Sequence, residues 1–169
     1  MKKIAITAAL LALGAGAAQA QTPQPADWTV LTFTADSNKP AAVTWDRIGG
    51  HDWCGIARFL DRLKGCIINS GNGEVGSLRT VMVGTTATVE MAVARTPLSY
   101  TYAQPFTPIF YHGTMGVEPV DATHSRIVYT LIWNQTAVGD AAAQAAAREG
   151  RQKSFQAAVD KMAAAADAP

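Results

Sequence analysis

DAAAQAAAREGRQKSFQAAVDKMAAAA, residues 140–166, reads as one long α-helix, and the rest of the fold follows from what that helix must cover. Its alanines are the strongest helix formers, and at 1.5 Å per residue the segment spans roughly 40 Å. Phe155, Val159, Met162 and Ala166 recur at i, i+4, i+7 and i+11, which puts one apolar stripe along it. Gly150 sits mid-helix, where it costs up to about 1 kcal/mol against alanine. Such a glycine is either tolerated there or leaves room for a close neighbour.

Upstream, the pattern changes from a period of 3.6 to a period of two. Residues 65–69, 75–83, 86–95, 98–103, 109–118 and 125–134 read as strands rich in β-branched and aromatic side chains. They are divided by Gly71-Asn72-Gly73, Gly84, Pro97, residues 104–108 and residues 119–122, all turn chemistry. Connections this short make consecutive strands antiparallel neighbours, since parallel pairs need long crossovers. Residues 28–34 (WTVLTFT) supply a first strand. Pro40 then opens a short helix carrying Ala41, Ala42, Trp45 and Ile48, and Gly49-Gly50 ends it. A second short helix over 52–60 places Trp53, Ile56 and Leu60 on one side. The order predicts an α+β domain: an antiparallel curved sheet of about seven strands with a long C-terminal helix across its apolar face, and two short helices after strand 1.

The N-terminus has a separate role. Lys2 and Lys3 precede an apolar run from residue 4 to 13, and Ala18-Gln19-Ala20 gives a small-x-small cleavage pattern. This reads as a signal peptide over residues 1–20, cleaved after Ala20, for a periplasmic or secreted protein. Residues 21–27 read as a flexible leader and 28–166 as one domain. The chain holds 14 basic and 13 acidic side chains, so losing Lys2 and Lys3 leaves it near neutral. It has no cluster of Lys or Arg, which argues against nucleic acid as a partner. After cleavage no integral membrane segment is expected. Oligomeric state is left open by the sequence. In an oxidising compartment the two cysteines, Cys54 and Cys66, predict a disulfide, with free buried thiols as the alternative.

An ordered set of motifs runs along the domain: Trp45 followed by Ile48-Gly49-Gly50, and the glycine-rich Gly71-x-Gly73-Glu74-Val75-Gly76-Ser77-Leu78-Arg79. Glu90, Ser99-Tyr100-Thr101-Tyr102, Tyr111 with Gly113, and Ser125-Arg126-Ile127-Val128-Tyr129 complete it. Together they resemble the START/Bet v1-like (SRPBCC) superfamily, in particular the bacterial polyketide cyclase/dehydrase-like group. The resemblance implies the helix-grip fold and, for many relatives, a hydrophobic ligand held between sheet and helix. The cysteine pair and the export signal depart from the commoner pattern.

Other motifs carry less. Gly71-Asn72-Gly73-Glu74-Val75-Gly76 fits G-x-G-x-x-G, but a strand follows it, so it reads as a hairpin and not as a nucleotide loop. His51, His112 and His124 are not at ligand spacing, so no metal or cofactor is implied. Asn134-Gln135-Thr136 is a glycosylation sequon that reads as incidental in a bacterial-looking exported chain.

Inside the strands the polar residues are more informative. Arg79, Glu90, Tyr100, Tyr102, Tyr111, Tyr129 and Trp133 fall on faces that, turned toward the helix, would edge a mostly apolar space together with Gly150. Small residues on those faces (Ala92, Ala94, Gly113) leave room for a ligand. Symmetric pairing about Gly84-Thr85 sets Arg79 opposite Glu90, either inside the cavity or as an exposed cross-strand pair. Three functions remain open. One is an exported binder of a lipid-like or aromatic molecule. A second is a cyclase- or hydratase-like enzyme with Glu90 as candidate base and the tyrosines as donors. The third is a partner-binding protein with a vestigial pocket.

Overall fold

The structure is a computed structural model and describes residues 27–169. The expected signal peptide and leader lie outside the described residues, apart from Asp27. Seven strands and two α-helices form the domain: β1 (Trp28–Ser37), α1 (Ala41–Arg47), β2 (Leu63–Ser70), β3 (Leu78–Val83), β4 (Thr86–Thr96), β5 (Ser99–Ala103), β6 (His112–Pro119), β7 (Ser125–Asn134) and α2 (Ala141–Asp167). The sheet order is β1-β7-β6-β5-β4-β3-β2, antiparallel at every step. Helix α2 packs along β1 and β7, and α1 bridges from α2 to β6. This is the helix-grip arrangement.

Local chemistry explains the elements. Asp140 caps α2, its carboxylate accepting from the Ala143 N–H at 2.9 Å. Phe155, Val159, Met162 and Ala166 are all buried, together with Ala158, so the apolar stripe of α2 is its core face. Phe33 stacks on Phe155 at 5.9 Å, and Tyr129 meets the same ring edge-on at 5.0 Å. Among the described residues no helix is long and apolar enough to cross a membrane.

Four features differ from the sequence expectations, each for a local reason. The second short helix is a 3-10 turn over Gly55–Phe59. The Asp52 side chain accepts from the Cys54 N–H at 2.8 Å and holds residues 52–54 in a turn. Gly55 lies directly against the Gly49 carbonyl, where a β-carbon would not fit. Strand β3 begins at Leu78 and not at residue 75, because Gly71, Gly73 and Gly76 all take positive φ in the preceding turns. Strand β6 begins at His112 and not at residue 109, because Phe110 sits in the left-handed region at φ 45° and ends the extended run. A register shift between Ala92 and Ala94 turns Ala94 out to solvent, so it does not line the inner face.

Cys54 and Cys66 form a disulfide, with Cα atoms 5.8 Å apart. It ties the start of the 3-10 turn to the middle of β2.

Candidate ligand cavity

Between the concave sheet, the 3-10 turn and α2 lies a cavity of about 290 Å³. Its apolar walls include Ile56, Leu60, Val81, Ile109 and Phe155. Its polar groups are Arg79, Glu90 and Gln104, the hydroxyls of Tyr100, Tyr102, Tyr111 and Tyr129, and Arg62 and Arg151.

The β3–β4 hairpin positions the charged pair. Gly84, at φ 60°, makes a two-residue turn that sets Val83 opposite Thr86 and Arg79 opposite Glu90. Both side chains point inward, Arg79 3% and Glu90 4% exposed. Glu90 Oε2 accepts from Arg79 Nε at 2.8 Å and pairs with Nη2 at 2.7 Å, while Oε1 accepts from Gln104 Nε2 at 3.0 Å. Arg79 Nη1 donates to the Trp53 carbonyl, and the guanidinium lies 4.1 Å from the Trp53 ring centroid. Two buried charges are thus paired, hydrogen-bonded and stacked, as burial requires.

The four tyrosines of the chain all converge here. The Tyr102 and Tyr129 hydroxyls are hydrogen-bonded at 2.9 Å, and the Tyr102 and Tyr111 rings are 6.0 Å apart. The Tyr100 hydroxyl is buried without a protein partner. Burial raises all four pKa values, well above the ordinary 10.0 for Tyr102 and Tyr129. A raised folded-state value means the neutral phenol stabilises the fold. That stability is complete below pH ~10, where unfolded tyrosine titrates, and is lost as pH rises through the folded values. In an alkaline absorbance titration, phenolate should appear only together with loss of the native circular dichroism signal. Tyrosines ionising near pH 10 with the fold intact would contradict this burial.

Arg79, Glu90, Tyr100, Tyr102, Tyr111 and Tyr129 therefore come together, but two expected members do not. Trp133 is fully buried behind the wall, its ring 4.6 Å from the Arg151 guanidinium. Gly150 faces solvent on the outer side of α2, and a β-carbon there would meet nothing within 4 Å. It borders the outer surface of α2 and does not line the cavity. Gly150→Ala should instead raise stability by up to about 1 kcal/mol through helix propensity alone, read as a higher urea midpoint. A loss of stability would mean that this turn of α2 has an unseen neighbour. Gly113 also opens no space, because the Tyr102 ring lies where its β-carbon would be.

Sequence reasoning missed Arg62, Gln104 and Arg151. Arg151 carried a signal, since it stands four residues before Phe155 and extends the apolar stripe of α2 by one turn. Arg62 and Gln104 lie in connections, where no period marks an inward residue. Among the described residues, no three His, Cys, Asp or Glu side chains are grouped as a metal site would need.

Residues 29–167 match the family described as polyketide cyclase / dehydrase and lipid transport. The chain belongs to this family. The match places the polyketide cyclase/dehydrase resemblance, and the SRPBCC/Bet v1-like superfamily with it, on nearly the whole domain. No curated protein matches the chain in sequence. Among solved structures, the Zhui aromatase/cyclase from Streptomyces sp. R1128 aligns with this family member at TM-score 0.65 and 15% identity, over 83% of this chain and 94% of that one. A protein from Thermobifida fusca aligns at TM-score 0.59 and 18% identity, over 83% and 97%. Ara h 8.0201 aligns at TM-score 0.53 and 17% identity, over 80% and 98%. At these identities the likeness establishes the shared fold. The family's described activities, cyclisation, dehydration and lipid transport, have a hydrophobic ligand in common.

Proposed function

We propose that the protein is an exported carrier of a small hydrophobic molecule, lipid-like or aromatic, held between the sheet and α2. The observation that carries this reading is the cavity of about 290 Å³ walled by aliphatic and aromatic side chains. Its size lies just below the ~300–1,000 Å³ common for ligand sites, enough for a small ligand. An open interior argues against a vestigial, filled pocket. The arrangement of Glu90 favours binding over catalysis. Both of its oxygens already accept from Arg79 and Gln104, so it offers a ligand no unengaged carboxylate oxygen. The disulfide and the N-terminal sequence support export, with Gln21 as the first residue of the mature chain.

A second reading, a cyclase-like enzyme, is favoured by one observation. The unpartnered Tyr100 hydroxyl and the neutral tyrosines around it are donors that would polarise a ligand carbonyl. Activity on a polyketone, lost in Tyr100→Phe, would select that reading.

Mass spectrometry of protein recovered from its own host tests the carrier reading. Under denaturing conditions the chain should start at Gln21, with both cysteines oxidised. Under native conditions it should carry the added mass of one small apolar molecule. A full-length chain, or one that carries nothing and takes up no apolar probe, would contradict it.

A further inference from the structure

Two arginines guard the cavity. Arg62, in the turn before β2, and Arg151, on α2, line both the cavity and a separate outer groove that runs along α2 past Gly150 and Ser154. They therefore stand at the boundary through which the interior meets solvent. Among the described residues neither has an ion-pair partner. Asp61, the acid next to Arg62 in sequence, is instead engaged by Lys161 at 2.6 Å. Among the described residues the only acid lining the cavity, Glu90, is held by Arg79. Two like charges thus face one opening, and neither is neutralised by a carboxylate of the described residues.

Arg151 is held in place with donors to spare. Its guanidinium lies over the Trp133 ring at 4.6 Å and beside Tyr111 at 5.7 Å. One nitrogen donates to the Ala147 carbonyl at 3.1 Å, while Nε is buried with no partner. A buried donor left unpaired is costly, and an anion supplied by a ligand would relieve it. Burial holds the Arg151 pKa below its ordinary value, against the opposing effect of Tyr111 and with a smaller contribution from the charge of Arg62.

We infer that the mouth is an anion site, in which Arg62 and Arg151 receive the carboxylate of an amphipathic organic acid whose apolar body occupies the cavity. Guanidinium forks match a carboxylate in geometry as well as charge. The walls behind them, Val81, Ile56, Leu60 and Phe155, suit a small aromatic or medium-chain body. This rests on the carrier reading and adds the chemical class of the ligand.

Calorimetric titration with naphthoate and with naphthylmethanol separates the two claims, because the probes share a body and differ in charge. The folded protein should bind both, naphthoate about tenfold more tightly, the gain typical of one charge-assisted contact. Arg62→Gln and Arg151→Gln should each remove most of that preference, read as the ratio of the two affinities in each variant. Arg62 is exposed, so its variant will fold even if the Arg151 variant does not. Inorganic phosphate at the same concentration should displace neither probe. Equal affinities in the native protein, or a preference that survives Arg62→Gln, would overturn the anion site and leave the carrier intact. Displacement of naphthoate by phosphate alone would assign the arginines to a free anion and overturn it too. Binding of neither probe would overturn the carrier reading and this inference together.

Discussion

Glu90→Gln is expected to cost about 3–5 kcal/mol of stability, the usual penalty for breaking a buried ion pair from one side. The substitution keeps shape and volume but strands the Arg79 guanidinium, which is 3% exposed. What remains to Arg79 is an uncharged amide oxygen at position 90, the Trp53 carbonyl and the aromatic rings around it. The double replacement Arg79→Met with Glu90→Leu should recover most of the loss, because well-packed apolar residues often match a buried ion pair in stability. Urea unfolding of the wild type, Glu90→Gln and the double variant measures both effects. A single-variant loss under about 1 kcal/mol is what an exposed pair would give, and it would contradict the inward placement.

Breaking the Cys54–Cys66 bridge should cost about 3 kcal/mol, the chain-entropy value for a closed loop of roughly 15 residues. The two residues are 12 apart in sequence, so the bridge closes a short loop. That loop includes the 3-10 turn, which places Ile56, Ala57 and Leu60 on the cavity wall. Loss of the bridge should therefore loosen this side of the cavity as well as destabilise the fold. The double variant Cys54→Ala with Cys66→Ala should show a lower urea midpoint and faster amide exchange at residues 55–60. Unchanged exchange there would mean that packing alone holds the turn.

The parts of this architecture that were legible in the sequence are those set by local rules. The hairpin at Gly84-Thr85 is a two-residue turn between period-two strands, so the pairing of Arg79 with Glu90 followed from counting. The stripe through Phe155, Val159 and Met162, in an alanine-rich segment opened by Asp140, located α2 from composition and spacing. Departures from a period were not legible. The register shift that turns Ala94 outward and the left-handed Phe110 depend on how distant strands meet. Gly150 misled because a glycine mid-helix carries the same signal whether it makes room for a neighbour or faces water. The mouth was the least legible part. Arg62 and Arg151 are 89 positions apart and approach each other only once α2 closes over the end of the sheet.

The central claim is that the space under α2 is a ligand site, and blocking it tests this most directly. Thr88 on β4 lies opposite Val81, and both line the cavity. Ala87 beside it is exposed and points to the opposite face of the sheet. Thr88→Trp should fill the cavity with an indole ring, and Ala87→Trp should add the same ring outside it. Fluorescence titration with N-phenylnaphthylamine, a neutral apolar probe, should then show wild-type affinity in Ala87→Trp. In Thr88→Trp, checked by circular dichroism to be folded, affinity should fall about a hundredfold, or about 2.7 kcal/mol. Equal probe binding in the two folded variants, or none in the wild type, would contradict a ligand site between sheet and helix.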